Sequence, residues 1–445
     1  MNSPNSAFFY HLYPLGCFGA PHANDGAPCS RLRRIEPWLD HIRDLGADTL
    51  LLGPVFQSET HGYDTTNYFT PDSRLGTGDD LAWAVEQAHA RGIRVVFDAV
   101  FNHVGRSFWA FQDVVKNRQN SRFAPWFFCD FTRQSPPGDP FDYTAWRGHY
   151  ELVKLNTDHP DVRNHLLHAA GEWISRYGID GLRLDAADCL DLGFQRALAE
   201  HCRTLRPGFY LLGEVIHGDY ARWVDQGGLD AVTNYILHKG LWSSHNDANY
   251  FELAHTCRKQ FTPGSSAYRW YTFADNHDVT RIRSRLRDPA HLYPLHILLF
   301  TLPGTPSVYY GSEYGLEGAK RKGRDDWPLR PALTPESLRD AAKEPDLARA
   351  IQTLARLRRE HPALALGEFT EMRVTHTQYG FKREHAGETA LVCVNAAHEQ
   401  TEFVLQGDIQ GMWRDVLNGG APHTARNGRL AVPLPPCWGS ILIRQ

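Results

Sequence analysis

Residues 178–188, with the sequence GIDGLRLDAAD, place charged side chains at the end of a short apolar run that is typical of a buried strand. Arg183 and Asp185 lie two residues apart, so on a strand both side chains point to the same face. A structural ion pair would explain this arrangement, and so would a reaction site that needs charge. The other strand ends distinguish the two explanations.

Three further predicted strands run into polar residues. The sequence DAVFNH carries Asp98 and His103, LLGEV carries Glu214, and FADNHD carries His277 and Asp278. In a parallel barrel the C-terminal ends of all strands meet at one mouth, so we expect these side chains to converge. Each residue alone has a structural explanation, because a strand-end aspartate can cap a loop and a buried histidine is more often hydrogen-bonded than catalytic. Their combination indicates a site.

The carboxylates Asp185, Glu214 and Asp278 favour cleavage of a glycosidic bond. That reaction passes through an oxocarbenium-like transition state, in which one carboxylate attacks or stabilises the positive centre and a second, protonated one donates to the leaving oxygen. Arg183 would hold Asp185 ionised. No serine or cysteine dyad motif accompanies these residues, which argues against acyl transfer.

The pattern of apolar runs predicts the elements that carry these residues. Short apolar runs alternate with helix-length segments up to about residue 360, which is typical of repeated βα units. Eight such runs favour a closed barrel over an open doubly wound sheet, whose GxGxxG turn is missing. The predicted strands are 8–13, 49–52, 94–100, 181–184, 210–213, 231–235, 270–273 and 307–310.

Two segments interrupt this rhythm. Residues 105–151 are rich in aromatic side chains and contain the loop signal SPPGDP, which predicts a lid subdomain after the third strand. Residues 366–445 show alternating patterns such as ETALVCVNAA, which predict a C-terminal antiparallel β-sandwich. We therefore expect an α/β fold in which residues 1–104 and 152–365 form a (β/α)8 TIM barrel.

Composition restricts the partners and the compartment. The chain has 445 residues and a net charge of −4, with no basic stripe for nucleic acid and no polybasic membrane patch. No run of about 18 apolar residues and no signal sequence occurs, so we expect a cytoplasmic protein. The 8 cysteines are scattered singly, which predicts neither a disulfide framework nor a zinc ribbon.

The motifs DAVFNH, GLRLDAAD, LLGEV and FADNHD resemble, in order and approximate spacing, the four conserved motifs of the α-amylase family, glycoside hydrolase family 13. Similarity extends to HGYDTTNYF, LVKLN and GTPSVYYGSEYGL, and so covers nearly the whole barrel. The forms LVKLN, NHDVTR and TNY are closest to neopullulanases and cyclomaltodextrinases. Those relatives usually carry an extra N-terminal β domain, whereas this chain begins close to its first strand, so the resemblance does not imply a dimer built through such a domain.

The resemblance implies a role for each strand-end residue. Asp185 would be the nucleophile, Glu214 the general acid/base and Asp278 the third carboxylate, which binds sugar hydroxyls and stabilises the transition state. The implied substrate-binding residues are Tyr63 beneath the sugar ring, His103 and His277 against the sugar, Arg183 beside Asp185, and Asp98 acting through Arg183.

We therefore expect a retaining α-glycoside hydrolase that cleaves α-1,4 glucosidic bonds in short or cyclic malto-oligosaccharides by double displacement, with α-1,6 cleavage left open. A transglycosylase of the same family is the alternative, because acceptor-side contacts separate the two and Cys189 stands there in place of the usual histidine. A catalytically silent carbohydrate-binding barrel is disfavoured, since all three carboxylates are present.

No organic cofactor is expected, because retaining glycosidases need none. Asn102 resembles a calcium ligand of many amylases, but no DxDxDG-type loop occurs, so we expect no essential metal and leave calcium open. We interpret residues 317–331 as a solvated charged loop, from which Arg324, Asp326 or Arg330 could reach a sugar. The sequence leaves the oligomeric state open.

Overall fold

A closed barrel of parallel strands forms the centre of the molecule, as the apolar runs predict. The computed structural model describes residues 7–261, 270–321 and 326–445. Strands are numbered along the chain, and the barrel order is β1, β15, β14, β13, β12, β11, β5 and β2. These strands are β1 (Phe9–Leu12), β2 (Thr49–Leu52), β5 (Arg94–Ala99), β11 (Gly181–Leu184), β12 (Tyr210–Gly213), β13 (Ala231–Thr233), β14 (Trp270–Phe273) and β15 (Thr305–Tyr309).

Helices cover the outside of the barrel with their apolar faces turned inward. Helix α2, for example, buries Trp38, Leu39 and Ile42 on one side. Among the described residues, no helix combines the length and the apolar character needed to cross a membrane. The helices are α1 (Pro14–Cys17), α2 (Glu36–Leu45), α3 (Gly78–Ala90), α4 (Trp109–Asn117), α5 (Pro160–Tyr177), α6 (Leu192–Leu205), α7 (Tyr220–Asp225), α8 (Tyr235–Asn246), α9 (Tyr250–Gln260), α10 (Ile282–Arg285), α11 (Leu292–Thr301), α12 (Pro335–Asp340), α13 (Leu347–Glu360) and α14 (Pro362–Leu366).

Side chains fill the interior of the barrel. Phe9, Leu51, Val96, Leu212 and Phe273, from five different strands, belong to one buried apolar cluster. Because the strands are parallel, their C-terminal ends all open at the same mouth, above this cluster.

Short strands project from the barrel beside that mouth. A hairpin follows β2, and small sheets between β5 and α5 are made of two and three antiparallel strands. The limits 105–151 of the lid subdomain stay a prediction. The strands are β3 (Phe56–Ser58), β4 (Thr65–Pro71), β6 (His103–Gly105), β7 (Cys129–Asp130), β8 (Asp142–Tyr143), β9 (Ala145–Trp146) and β10 (His149–Lys154).

The C-terminal region is antiparallel β structure, as its alternating pattern predicts. A 6-stranded sheet in the order β16, β17, β18, β23, β20, β21 faces a 2-stranded sheet of β19 and β22. Leu391, Phe403 and Trp413 are buried between the sheets, while Phe381 and Ile441 join the core that includes the barrel helices. The strands are β16 (Glu368–Val374), β17 (Gln378–His385), β18 (Glu388–Asn395), β19 (Thr401–Gln406), β20 (Gly411–Asp415), β21 (Ala421–Ala425), β22 (Arg429–Leu434) and β23 (Trp438–Arg444).

Candidate active site

The residues predicted from the strand ends meet at the mouth of the barrel. Asp98 and Arg183 lie on β5 and β11, and Asp185 and Glu214 follow directly after β11 and β12. The register pairs Leu184 with Gly213, so Asp185 and Glu214 leave neighbouring strands at the same level. The fold thus turns residues far apart in sequence into one cluster.

Arg183 joins three carboxylates through a single buried guanidinium. Its Nη1 donates to both oxygens of Asp98 at 2.7 and 2.9 Å and to Asp185 Oδ1 at 3.0 Å. Its Nη2 lies 3.0 Å from Glu214 Oε2. Burial alone would lower the pKa of Arg183, but Asp98 and Glu214 raise it well above its usual value. Arg183 therefore stays charged and orders the cluster.

Asp185 is buried among like charges. Burial raises the pKa of Asp185 well above its usual range, Arg183 opposes this effect, and Glu214 reinforces it. Only Oδ1 is bonded to Arg183. The other oxygen, Oδ2, lies 3.8 Å from Nε2 of His103, a buried nitrogen without a hydrogen-bond partner among the described residues. Ionised Asp185 therefore depends on Arg183, and Oδ2 is the carboxylate oxygen that Arg183 does not bind.

Glu214 is held at both oxygens by groups that the sequence did not reveal. Oε2 accepts from the backbone N–H of Ala186 at 3.1 Å, and Oε1 accepts from the hydroxyl of Tyr235 at 3.2 Å. Ala186 has φ 45° and ψ 43°, in the left-handed region, which costs a non-glycine residue about 1–2 kcal/mol. Such strain concentrates at functional sites. Here it aims an N–H at Glu214.

Asp278 is flanked by two cationic or polar partners. Its Oδ2 lies 3.0 Å from His277 Nε2, and its Oδ1 accepts from Arg330 Nη2 at 2.9 Å. Burial would raise the pKa of Asp278, but His277 and then Arg330 and Arg183 hold it well below the usual range. Asp278 is therefore an ionised acceptor in the free protein.

The interpretation of residues 317–331 as a solvated loop is wrong for Arg330. Its guanidinium is buried, lies 4.4 Å from the ring centre of Tyr13, and bonds to Asp278. These contacts compensate for its loss of hydration. Asp326 pairs with Lys320 at 2.9 Å, and Arg324 lies outside the described residues.

The aromatic residues of the mouth support the charged ones. The hydroxyl of Tyr63 donates to Asp98 Oδ2 at 2.9 Å and lies 2.5 Å from His277 Nε2. The ring of Tyr63 stacks on that of His277, with centroids 5.3 Å apart, and Tyr13 also stacks on His277 at 5.8 Å. The structure places Tyr63 and His277 in the mouth, and their contact with a sugar stays a prediction.

Cys189, which stands in place of the usual histidine, lies among polar residues near the ends of β10 and β11. Lys154 Nζ donates to the carbonyl of Cys189 at 3.4 Å, and Cys189 Sγ lies 3.4 Å from Asp188 Oδ1. Arg147 lies 3.8 Å from Asp188 and stacks over Trp146. A polar wall thus borders the site on this side.

Asn102, the residue that resembles a calcium ligand, is buried beside His103. Its Nδ2 contacts His103 Nδ1 at 3.1 Å, and its buried Oδ1 has no partner among the described residues. Calcium takes six to eight oxygen ligands, and no group of three or more acidic or imidazole side chains that the structure describes includes a neighbour of Asn102. Backbone and amide carbonyl oxygens also bind calcium, so calcium binding stays open here and independence from metal stays a prediction.

Comparisons with known proteins agree with this geometry. Residues 24–353 match the α-amylase catalytic domain. A cyclomaltodextrinase from Geobacillus thermopakistaniensis (strain MAS1) is 32% identical over 428 residues, 92% of this chain and 69% of that protein. An intracellular maltogenic amylase from Bacillus subtilis is 33% identical over 294 residues, 64% of this chain and 49% of that protein.

A solved structure extends the agreement to the whole fold. The ligand-free cyclic α-maltosyl-(1→6)-maltose hydrolase from Arthrobacter globiformis superposes with a TM-score of 0.82 at 28% identity, covering 99% of both chains. The present chain spans about two thirds of the length of the cyclomaltodextrinases that it matches. Since the catalytic-domain match covers most of the barrel and its mouth, this chain belongs to the α-amylase family of glycoside hydrolases.

Proposed function

We propose that this protein is a retaining hydrolase of α-1,4 glucosidic bonds in short or cyclic malto-oligosaccharides. The observation that carries the proposal is the shared guanidinium of Arg183 between Asp185 and Glu214. Neighbouring strands lie about 4.8 Å apart, and both acids leave their strands at the same level. Both carboxyl groups also contact the same guanidinium at 3.0 Å, and this close placement favours the ~5–5.5 Å carboxyl separation of retaining enzymes over the ~6.5–9.5 Å of inverting ones.

The relatives support the substrate class. One is named for cyclomaltodextrin and one for cyclic α-maltosyl-(1→6)-maltose. Because the second name contains a (1→6) linkage, the proposal leaves α-1,6 cleavage open.

In the first step, Asp185 Oδ2 attacks the anomeric carbon. The glycosidic C–O bond breaks, its electron pair passes to the leaving oxygen, and that oxygen takes the proton of Glu214. Arg183 favours this arrangement because it stabilises the Asp185 carboxylate, while the N–H of Ala186 and the hydroxyl of Tyr235 hold Glu214 in place. The product is a glycosyl ester on Asp185.

In the second step, a water molecule attacks the same carbon from the opposite side of the ester bond. Glu214 takes a proton from the water, the bond to Asp185 breaks, and the sugar leaves with its original anomeric configuration. Asp278 stays ionised beside Arg330 and can accept hydrogen bonds from sugar hydroxyls throughout.

Transfer to a second sugar is the other candidate function. The polar wall formed by Lys154, Asp188, Cys189 and Arg147 borders the site and offers contacts to an acceptor hydroxyl. A sugar hydroxyl would then replace water in the second step.

We also propose a cytoplasmic location. The supporting observation is the similarity to a Bacillus subtilis enzyme that is named intracellular.

Product analysis tests the proposed function. Maltotriose, pullulan, isomaltose-type sugars and cyclodextrins are incubated with the protein and resolved by chromatography over time. We expect shorter sugars from at least one α-1,4-linked substrate. Products longer than the substrate would support transfer, and no reaction on any substrate would support a silent barrel and contradict the proposal.

Asp185→Asn identifies the nucleophile. We expect kcat to fall by about four orders of magnitude or more, with an unchanged circular dichroism spectrum. Asp158→Asn is the matched control, because this aspartate is exposed and pairs with Arg163. Comparable activity of Asp185→Asn and the control would exclude Asp185 as nucleophile.

A further inference from the structure

Two histidines and a cysteine meet at the seam between the barrel and the C-terminal sheets. His291 precedes α11 in the barrel, His398 lies between β18 and β19, and Cys437 lies between β22 and β23. One ligand atom of each lies within 4.8 Å of the others. In the parts of the chain that the structure describes, no other group of three His, Cys, Asp or Glu side chains comes together in this way.

We propose that His291, His398 and Cys437 bind a zinc ion that links the C-terminal module to the barrel. Thiolate and imidazole are ligands that suit zinc. In a tetrahedral site with Zn–S of about 2.3 Å and Zn–N of about 2.0–2.1 Å, sulfur and nitrogen lie about 3.5 Å apart. Cys437 Sγ and His398 Nδ1 already lie 3.8 Å apart. Binding therefore needs only a small further approach.

Asp288 supplies the outer partner that metal-binding histidines usually have. Its Oδ2 lies 2.5 Å from His398 Nε2, the nitrogen opposite the one that faces Cys437. A carboxylate at that nitrogen keeps the proton on Nε2 and leaves Nδ1 as the ligand atom. The same carboxylate lies 3.8 Å from His291 Nε2 and brings negative charge beside the site.

His291 completes the set from the barrel side. Its Nε2 lies 2.9 Å from the carbonyl oxygen of Ala396, which itself lies 3.8 Å from Cys437 Sγ. His291 Nε2 therefore lies on the same side of the ring as the Cys437 thiol and is the nitrogen that would bind zinc. Zinc binding replaces the contact with the carbonyl, and a water molecule can take the fourth position.

The backbone of Cys437 is strained at the proposed site. Cys437 has φ 45°, a left-handed conformation that glycine adopts at lower cost. Its Sγ contacts residues 396–398. Burial, followed by Asp288, raises the pKa of this thiol, so zinc would displace its proton on binding.

The proposed role is structural. Because His291 belongs to the barrel and the other two ligands belong to the C-terminal module, bound zinc cross-links the two parts. Zinc would stabilise the folded chain by mass action without contact with the reacting atoms.

Zinc titration tests the site. Metal-free protein is titrated with zinc chloride by calorimetry, and the midpoint of thermal unfolding is followed with and without zinc. We expect one zinc per chain and a higher midpoint for the wild type. Cys437→Ser should bind at least about 10-fold more weakly and Asp288→Asn about 10–100-fold more weakly. Cys29→Ser, a half-buried cysteine elsewhere, is the matched control and should behave as wild type.

Two outcomes would overturn the proposal. One is equal zinc affinity in the wild type and Cys437→Ser, and the other is a cobalt-substituted wild type without a thiolate-to-cobalt charge-transfer band. If Cys437→Ser does not fold, alkylation of the wild type decides. Zinc should protect Cys437 from iodoacetamide, as mapped by mass spectrometry, and unprotected Cys437 would contradict the site.

Discussion

Arg330 helps to keep the Asp278 carboxyl ionised. Its guanidinium is packed against Tyr13 and donates to Asp278 Oδ1 at 2.9 Å. Together with His277 it holds the pKa of Asp278 well below the usual range. The contact spans 52 residues of sequence. Local sequence does not distinguish an arginine that folds back to the mouth from one that stays in solvent, which is why the sequence-based interpretation is wrong here.

Arg330→Met tests this pairing. Removal of the cation raises the pKa of Asp278, so the acid limb of the kcat/KM profile should move to higher pH. The lost charge-assisted hydrogen bond of about 1.5–3 kcal/mol should lower kcat/KM by about 10–100-fold. Lys320→Met is the control, because among the described residues its ammonium bonds only to the backbone oxygen of Asp278 and to Asp326. An unshifted acid limb in Arg330→Met would contradict the assignment.

At the scale of elements, helix caps decide where side chains of the site point. The apolar pattern predicts a strand over 231–235, whereas β13 ends at Thr233. Asn234 accepts a hydrogen bond from the N–H of Leu237 at 2.8 Å and caps α8. Tyr235 therefore begins a helix and reaches Glu214. The sequence could predict a strand here, but the contact between Tyr235 and Glu214 depends on the end of β13, which the Asn234 cap sets.

A similar cap begins α3, where Thr77 and Asp80 bond to each other's backbone N–H groups. Burial would raise the pKa of Asp80, but hydrogen bonds from Thr77, Arg33 and Ser30 lower it to about 2. A carboxyl with a lowered folded-state pKa stabilises the protein above its unfolded pKa. This contribution is lost as the pH falls from about 4 to about 2.

Asp80→Asn should therefore reduce the free energy of unfolding by roughly 2 kcal/mol at pH 7. The difference from wild type should shrink toward pH 2. Urea unfolding at a series of pH values measures both quantities. Asp79→Asn, on the exposed side of the same helical turn, should change stability little. A difference for Asp80→Asn that stays constant down to pH 2 would rule out the proposed linkage.

At the scale of the whole molecule, the barrel and the C-terminal sheets share one core. Phe381 and Ile441 pack in the same apolar cluster as the barrel helices, while Phe403 lies in the separate cluster between the sheets. The order and number of barrel strands could be predicted because apolar runs are local features. The seam could not, since His291, His398 and Cys437 come together only through tertiary packing.

Phe381→Ala tests whether the two parts unfold together. Loss of this buried ring should cost about 3–5 kcal/mol, and calorimetry should still show one transition at a lower temperature. Phe403→Ala provides the comparison within the C-terminal module. Separate transitions for the barrel and the C-terminal module in the wild type would contradict a shared core.

The central claim is retention of configuration by Asp185 and Glu214. Proton NMR recorded during the first minutes of hydrolysis of an α-1,4-linked substrate follows the new reducing end before mutarotation. We predict that the α-anomer appears first and then equilibrates with the β-anomer. Initial release of the β-anomer would contradict it, because that outcome requires direct attack by water and leaves no place for the glycosyl ester on Asp185.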